Sequence, residues 1–311
     1  MRKNQEITKF EEKPVARSLN MPELIEDFLA AQDVRPISKE VYRKGMERFF
    51  TWIASNEIRQ PDRTAILRFK TFLIELGLAA NTVNSYLVAV KRFFAYLEGS
   101  RLYPDIAKGV KGVKQPKMHL REALTISQVK EMLNIIDVST IQGKRNFAII
   151  NLMARTGLRT IEVVRADVDD IRQQGGEALL FVQGKGRDSK DEFVILMDAA
   201  LKPIRRYLRA RSKSNHSSPL FTSLSDRNKG KRLTTKTIRE SVKNYLRASN
   251  IDSPKLCAHS LRHFFATQAL KAGAEILQVK EAMRHASIET TQKYIHNLER
   301  IEKGAERHID F

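Results

Sequence analysis

Apolar side chains recur at helical spacing through the first third of the chain. In the stretch SKEVYRKGMERFFTWIASN, residues 38–56, they return every three or four positions, which predicts an amphipathic helix with Ser38 as its N-cap. The apolar face of this predicted helix holds Val41, Tyr42, Met46, Phe49, Phe50 and Ile53. The opposite face is polar, so the helix is predicted to bury one side only.

The stretch NTVNSYLVAVKRFFAYLEG, residues 81–99, repeats this pattern. Its apolar positions are Val83, Leu87, Val90, Phe94 and Leu97. Gly99 is a natural helix stop. Two further helices are predicted near residues 22–33 and 63–76. Together these stretches predict an all-helical domain over residues 18–107.

The pattern changes after residue 123, where helical stretches are interrupted by short β-type runs. The first helix is predicted to be capped by Thr125 or Ser127, and KRNFAIINLMARTG predicts a buried apolar helix. DVDDI, EALLFV and EFVIL predict short strands, and the last two flank the polar turn QGKGRDSKD, which is a hairpin signal. The rest of the stretch predicts helices. Residues 123–297 are therefore predicted to form a mainly α-helical domain with one small β-sheet.

Charge changes this picture more than any other property of the composition. The 311 residues include 55 Lys and Arg against 36 Asp and Glu, a formal net charge of +19. Such an excess repels itself unless a polyanion is present, which favours nucleic acid first and an anionic membrane surface second. A basic protein without such a partner is the remaining alternative. The apolar runs are too short to span a bilayer, and MRKNQEITKF lacks the apolar core of a secretory signal. The single cysteine, Cys257, fits a reducing compartment.

Two basic stretches are candidates for contact with nucleic acid. Residues 108–122 read as an inter-domain linker, and their lysines recur every third residue, so an extended chain would lay them along phosphates. These lysines are Lys108, Lys111, Lys114 and Lys117. The polar face of the 81–99 helix is predicted to read the major groove through Asn84, Ser85, Lys91 and Arg92. A solvated linker and an ordinary solvated helix face are the alternatives. Residues 1–17 are polar and predict a flexible arm.

The chain lacks the motifs of metal-dependent phosphodiester chemistry. GKGRDSK lacks Walker spacing and lies in a hairpin, there is no His-Glu-x-x-His, and no carboxylate cluster would hold two magnesium ions. Cleavage of a phosphodiester, if it occurs, is predicted to need no metal or other cofactor.

Metal-free attack on a phosphodiester needs cations, an acid and a nucleophile. Arginine suits the non-bridging oxygens because its guanidinium is planar and permanently charged. Lysine or histidine can protonate the leaving oxygen. A tyrosine nucleophile, with a pKa near ~10, needs neighbouring cations and a histidine. Candidates for these roles are Arg159, Glu162, Lys185, His259, Arg262, His263, His285 and Tyr294.

Taken singly, each candidate has a simpler alternative role. A turn lysine is usually solvated, and a histidine near a helix start often caps the helix or packs in the core. Arg159 can merely pair with Glu162, and Tyr294 can be a half-buried packing residue.

Taken in order, however, the motifs ARTGLRTIEV, GKG, HSLRHFFAT and RHASIETTQKYIH closely resemble the tyrosine recombinase family of phage integrase or Xer type. The resemblance covers residues 123–297 and extends more loosely to the N-terminal helices, which are similar to that family's SAM-like core-binding domain. It implies a C-shaped clamp, with the helical domain on one face of the DNA and the catalytic domain on the other.

The resemblance also implies a role for each candidate residue. The implied catalytic set is Arg159, Lys185, His259, Arg262, His285 and Tyr294. In the family's pattern the two arginines hold the scissile phosphate, the lysine protonates the leaving 5′ oxygen, and the histidines assist proton transfer. The tyrosine attacks to give a 3′-phosphotyrosine. Glu162 would support the first arginine, and His263 would be structural.

One departure from the family's pattern precedes the second histidine. The family often has Leu-Gly-His there, whereas this chain has Met-Arg-His, so Arg284 stands where glycine is usual. This arginine is expected either to touch DNA or to change a turn.

The resemblance implies a site-specific DNA recombinase that acts in integration and excision or in resolution. Its partners would be double-stranded DNA carrying recombination sites and a tetramer of identical or related subunits, with residues 298–311 as a tail that contacts a neighbour. Such an enzyme is expected in the cytoplasm with the nucleoid, and no membrane partner is expected. One alternative is a type IB topoisomerase, which the short length argues against. The other is a non-catalytic DNA-binding protein, which would have lost one of the active-site positions.

Overall fold

The computed structural model describes residues 20–114, 124–184, 187–211, 218–251 and 253–292, with residues 307 and 309. The chain divides into two compact units, with the boundary between Lys117 and Met118. Within the described residues, no helix combines the length and the apolar character needed to cross a membrane.

The described part of the N-terminal unit contains four helices. They are α1 (Met21–Ala31), α2 (Pro36–Ser55), α3 (Arg63–Glu75) and α4 (Ala80–Gly99). The all-helical prediction is confirmed, and α4 ends at the predicted glycine. The prediction of Ser38 as an N-cap is wrong because α2 begins at Pro36, with Arg35 as its N-cap residue. Proline suits the first helical turn, where its missing N–H leaves no hydrogen bond unmade.

Aromatic rings fill the core of the N-terminal unit. They include the fully buried Phe28, Phe49, Phe69, Phe93 and Phe94. Helices α2 and α4 cross closely at Gly45, where an added Cβ would stand 2.8 Å from Ala89 Cβ. The predicted apolar face of α2 is buried except at its edges, since Val41 is 39% exposed.

The first residues of the predicted linker pack onto the N-terminal unit. Arg63 Nη1 donates to the Lys108 carbonyl at 2.5 Å, and Lys70 Nζ donates to the Lys111 carbonyl at 2.9 Å. Residues 108–114 therefore form a strap held by its backbone, and the side chains of Lys108, Lys111 and Lys114 stay exposed. Residues 115–123, which include Lys117, lie outside the described residues.

The described part of the C-terminal unit is mainly helical around one three-stranded antiparallel sheet. Its helices are α5 (Ile126–Asn134), α6 (Ile141–Thr156), α7 (Thr160–Arg165), α8 (Asp198–Ala210), α9 (Thr235–Ala248), α10 (Ala258–Lys271) and α11 (Ile276–Met283). Its strands are β1 (Ile171–Gln174), β2 (Glu177–Val182) and β3 (Glu192–Ile195), in the order β1-β2-β3. The predicted β2–β3 hairpin is confirmed, with Val182 opposite Glu192.

Two local predictions in this unit have different outcomes. Thr125 caps α5, and its side chain accepts from the Gln128 N–H at 3.2 Å. The prediction of a strand over DVDDI is wrong, because Val168–Asp170 form a 3₁₀ turn and β1 begins only at Ile171. Asp170 Oδ2 accepts from the Asp167 backbone N–H at 2.7 Å, which stabilises a turn rather than an extended strand.

Helix α6 is the buried centre of the C-terminal unit. It packs against α8 and α10, and its apolar residues are buried except for Ile141 and Phe147, which are partly buried. It ends at Gly157, whose φ of 63° lies in the left-handed region that favours glycine. An added Cβ would stand 2.5 Å from Phe265 Cδ1 on α10, so α10 can approach this turn only if the residue is glycine.

Candidate active site

Arg159 lies just after the turn that ends α6 and is paired with Glu162 on α7. Its backbone N–H and its Nη1 donate to the two carboxylate oxygens, each at 2.7 Å. Glu162 is fully buried, whereas 23% of the Arg159 side chain is exposed. Burial raises the pKa of Glu162, but the charges and hydrogen bonds of Arg284 and Arg159 outweigh it and hold this pKa below its usual value. The ionised carboxylate thus orients Arg159 with part of its guanidinium open to solvent.

Arg262 on α10 connects this turn to the end of α11. Its Nη1 donates to the Gly157 carbonyl at 2.6 Å, and its Nη2 donates to the Met283 carbonyl. The side chain is 1% exposed, which makes it the largest fully buried side chain among the described residues. Both carbonyls belong to helix ends, where backbone oxygens lack helical partners. The guanidinium therefore satisfies two helix ends and carries a charge between them.

Arg284 follows α11 and reaches the same carboxylate as Arg159. Its Nη2 lies 2.8 Å from Glu162 Oε2, and its Nη1 donates to the Ala282 carbonyl at 2.6 Å. Its own carbonyl accepts from Arg159 Nη2 at 3.1 Å. The sequence did not predict this pair. The arginine at a position where glycine is usual indicated that this residue is unusual, but nothing in the sequence identified Glu162 as its partner.

His285 comes next in the chain and lies among these cations. Its Nδ1 is 2.8 Å from Thr291 Oγ1, and Thr291 is fully buried in the short helical stretch 288–292. Burial lowers the pKa of His285 to about 4, together with the charges of Arg262, Arg159, His259 and Arg284. His285 is therefore neutral at neutral pH. If Thr291 donates to Nδ1, the ring proton is on Nε2, where it can be donated to a phosphate oxygen.

The other two predicted histidines share one face of α10. The rings of His259 and His263 meet edge to face with centroids 5.0 Å apart. His259 is half-buried and contributes to the positive field at His285, whereas His263 is buried. The division of these two histidines into a site residue and a structural residue stays a prediction.

The hairpin that carries Lys185 is anchored by charges at its base. Lys190 Nζ lies 2.7 Å from Asp167 Oδ2 and 2.5 Å from Asp170 Oδ2. Arg187 pairs with Asp191 at 2.8 Å. The Lys190 contacts join the end of the turn to the segment before β1, whereas the Arg187–Asp191 pair lies within the turn. Lys185 itself lies outside the described residues, as does Tyr294.

A cleft of about 1170 Å³ runs between the hairpin, α11 and the end of α6. Arg159, Arg284 and His285 line it, and Phe193 and Phe265 form part of its apolar wall. The structure therefore places Arg159 and His285 at the wall of an open cleft, with Glu162 bound to Arg159 and with Arg262 and His259 near His285.

The predicted DNA-reading residues of α4 make contacts inside the N-terminal unit. Asn84 donates to the Val113 carbonyl at 3.0 Å and accepts from the Val113 N–H at 2.7 Å. Lys91 donates to the Val110 carbonyl, and Ser85 donates to the Asn81 carbonyl at 2.8 Å. Asn84 and Lys91 thus hold the strap.

Arg92, the fourth residue of that predicted face, lies over the Tyr42 ring, with its guanidinium carbon 5.6 Å from the ring centroid. It is exposed, as is Ser85. A role at DNA for these α4 residues stays a prediction.

Comparison with known proteins agrees with the geometry of both units. Residues 122–300 match the phage integrase family, and residues 23–99 match the phage integrase N-terminal SAM-like domain. The chain belongs to the phage integrase family of tyrosine recombinases. The resemblance found in the four sequence motifs is thereby confirmed, as is the predicted combination of a helical N-terminal domain and a mainly helical second domain with a small sheet.

Relatives match over nearly their whole length. The chain is 32% identical to the tyrosine recombinase XerA of Pyrococcus furiosus, over 88% of each chain. It is 29% identical to the tyrosine recombinase XerD of Listeria innocua, over 89% of this chain and 94% of that protein. Among solved structures, XerH recombinase bound to its palindromic difH substrate in a post-cleavage complex gives a TM-score of 0.71 at 22% identity, over 90% of this chain and 83% of that one. At that identity the structural likeness concerns the fold.

The low pKa of His285 can be measured directly. We expect its ring resonances to titrate near pH 4, rather than near the ~6.5 of an unperturbed histidine. The unfolded chain takes up this proton near pH ~6.5, whereas the folded chain does so only near 4. His285 therefore lowers the stability of the fold progressively as the pH falls from about 6.5 to about 4. NMR titration from pH 3.5 to 8 would test this, with His285→Gln identifying the signal. A midpoint above pH 6 would contradict the arrangement.

Proposed function

We propose that the chain is a site-specific recombinase that cleaves and rejoins DNA through Tyr294. The observation that carries this is that Arg159 and Arg262 both lie near His285. Tyr294 follows His285 by nine positions in the chain. Two guanidiniums and a neutral histidine donor suit a phosphodiester, whose transition state gathers negative charge on its non-bridging oxygens.

The proposed reaction conserves bonds. The Tyr294 hydroxyl oxygen attacks the scissile phosphorus, a new P–O bond to tyrosine forms, and the bond to the 5′ oxygen breaks. Lys185 gives the leaving oxygen its proton, His259 accepts the proton that the tyrosine hydroxyl loses, and His285 donates to a phosphate oxygen. A 5′ hydroxyl from a partner strand then attacks the phosphotyrosine. The bond to tyrosine breaks, and a phosphodiester that joins the partner strand takes its place. Because one ester replaces another, neither ATP nor a metal is required.

The exposed lysines of the strap support DNA contact beside the core-binding helices. Lys108, Lys111 and Lys114 are exposed along a segment whose backbone is fixed to α3 and α4. A fixed backbone reduces the entropy lost when these side chains meet phosphates. We propose that Lys117 extends this row, and that Ser85 and Arg92 contribute from α4.

Exchange between two duplexes, each cut on both strands, calls for four protomers on DNA. We propose a tetramer, homomeric or formed with a related recombinase, in which residues 298–311 contact a neighbouring subunit. The match to Xer recombinases over 94% and 88% of their length favours a resolvase of that type over a mobile-element integrase. Either enzyme would act where the chromosome is, in the nucleoid.

Covalent capture would test this function and identify the target sequence in the same experiment. Wild-type protein is incubated with fragmented, randomly nicked host genomic DNA in EDTA, denatured in SDS, and the DNA that stays attached is sequenced. We expect enrichment of one short sequence and a phosphorylated peptide that contains Tyr294. A single chromosomal site would favour a resolvase, and the ends of a mobile element would favour an integrase. Absence of attached DNA, or attachment that requires Mg²⁺, would contradict the proposal.

A further inference from the structure

Arg284 occupies a backbone conformation that arginine rarely adopts. Its φ and ψ are 52° and 51°, in the left-handed region that favours glycine. A side chain held there is strained, so the surrounding contacts must offset that strain. The side chain is 3% exposed, and its two terminal nitrogens are bound within the protein, to Glu162 and to the Ala282 carbonyl.

The contacts of Arg284 reach both members of the Arg159–Glu162 pair. Its guanidinium binds Glu162 Oε2 at 2.8 Å, and its carbonyl accepts from Arg159 Nη2 at 3.1 Å. Arg159 is thus fixed at two points, by the carboxylate through Nη1 and by the Arg284 carbonyl through Nη2. Two such bonds define the plane of a guanidinium as well as its position.

The charges in this cluster do not cancel. One buried carboxylate serves two guanidiniums, so the group formed by Arg159, Glu162 and Arg284 keeps one excess positive charge. Arg284 is 3% exposed and Arg159 is 23% exposed, so an incoming anion meets the excess charge at Arg159. If Glu162 paired with Arg159 alone, it would neutralise the charge that a phosphate needs.

We propose that Arg284 is a positioning residue of the cleavage site, which shares the Glu162 carboxylate so that Arg159 is held in plane and keeps its charge for the scissile phosphate. The proposal rests on the function assigned to Arg159 above. It explains why a strained arginine is kept at the end of α11, where glycine would be free of strain.

The arrangement predicts a cleavage defect without a binding defect. Arg284→Met keeps most of the side-chain length but removes the charge, and we expect cleavage of the captured duplex to slow by about 10- to 100-fold, since small misplacement of a reacting group has effects of this size. DNA affinity should stay within about twofold because the side chain is buried. Arg284→Lys should recover most of the rate. Arg227→Met, at an exposed position outside the site, is the matched control.

A double-mutant cycle tests whether Arg284 acts through Glu162. If it does, Arg284→Met should change the rate by less than about threefold once Glu162→Gln is present, because the shared carboxylate charge is already gone. Multiplicative effects of the two substitutions, or an Arg284→Met protein that cleaves within threefold of the wild type, would overturn the proposal. A defect that follows DNA affinity would also overturn it.

The titration of His285 provides a readout that needs no cleavage. The groups that face this ring are Arg159 beside the α6–α7 turn, His259 and Arg262 on α10, and Arg284 itself. Removing the Arg284 charge should move the His285 midpoint upward, towards that of an ordinary histidine. An unchanged midpoint in Arg284→Met would mean that Arg284 does not act on this site. If the midpoint moves while wild-type protein captures no DNA, the recombinase function fails and the placement of Arg284 stands.

Discussion

Tyr294→Phe protein is expected to bind its DNA site normally and to form no covalent adduct. The substitution removes one hydroxyl oxygen, which is the atom that would bond to phosphorus, and no neighbouring group replaces it in the proposed reaction. Cleavage should fall by more than about 1,000-fold, the scale seen when an enzyme nucleophile is removed. The measurement is adduct formation on a nicked duplex, where loss of the short fragment prevents religation.

The matched control is Tyr96→Phe, which removes a hydroxyl from the N-terminal unit. It should give adducts at the wild-type rate. If Tyr294→Phe still yields attached protein, the nucleophile lies elsewhere and the assignment from the RHASIETTQKYIH motif is wrong. Loss of DNA binding in the same variant would instead indicate that the hydroxyl is needed for the fold or for DNA binding.

Arg262→Lys is expected to slow cleavage by about 100- to 1,000-fold, the range typical of losing one donor to a developing oxyanion. Lysine retains the charge but cannot reach the Gly157 and Met283 carbonyls together, because its donors radiate from a single nitrogen. We also expect lower thermal stability, since one buried helix-end carbonyl loses its donor.

Arg145→Lys separates these two effects. Arg145 is 5% exposed on α6 and donates to the Thr222 carbonyl at 2.9 Å, so it is a buried arginine outside the site. The substitution should lower the melting temperature without changing cleavage by the folded fraction. If Arg262→Lys and Arg145→Lys affect cleavage equally, Arg262 acts on the fold alone. The cleavage rates of both variants should be measured well below both melting temperatures, so that each protein is folded during the assay.

Most of the helices and strands could be predicted from local patterns in the sequence. Helix periodicity predicted the N-terminal helices, and a turn between two apolar runs predicted the β2–β3 hairpin, because both elements form from residues close in the chain. The prediction failed where side chains form hydrogen bonds with the backbone. In DVDDI, an aspartate side chain accepts a backbone hydrogen bond and stabilises a turn instead of a strand. The order of the four motifs was enough to indicate the family.

The sequence by itself thus determined the elements, the family and the residue types of the site. Only the tertiary structure decided which partners those residues meet. Arg159 and the Arg284 carbonyl are 125 positions apart, and the packing of α6, α10 and α11 brings them into contact. The polar face of α4 gives a second example. The sequence predicted that this face contacts DNA, whereas the fold places Asn84 against the strap at Val113. A periodic pattern reveals which face of a helix is polar, but the partner of that face is set by packing between distant segments.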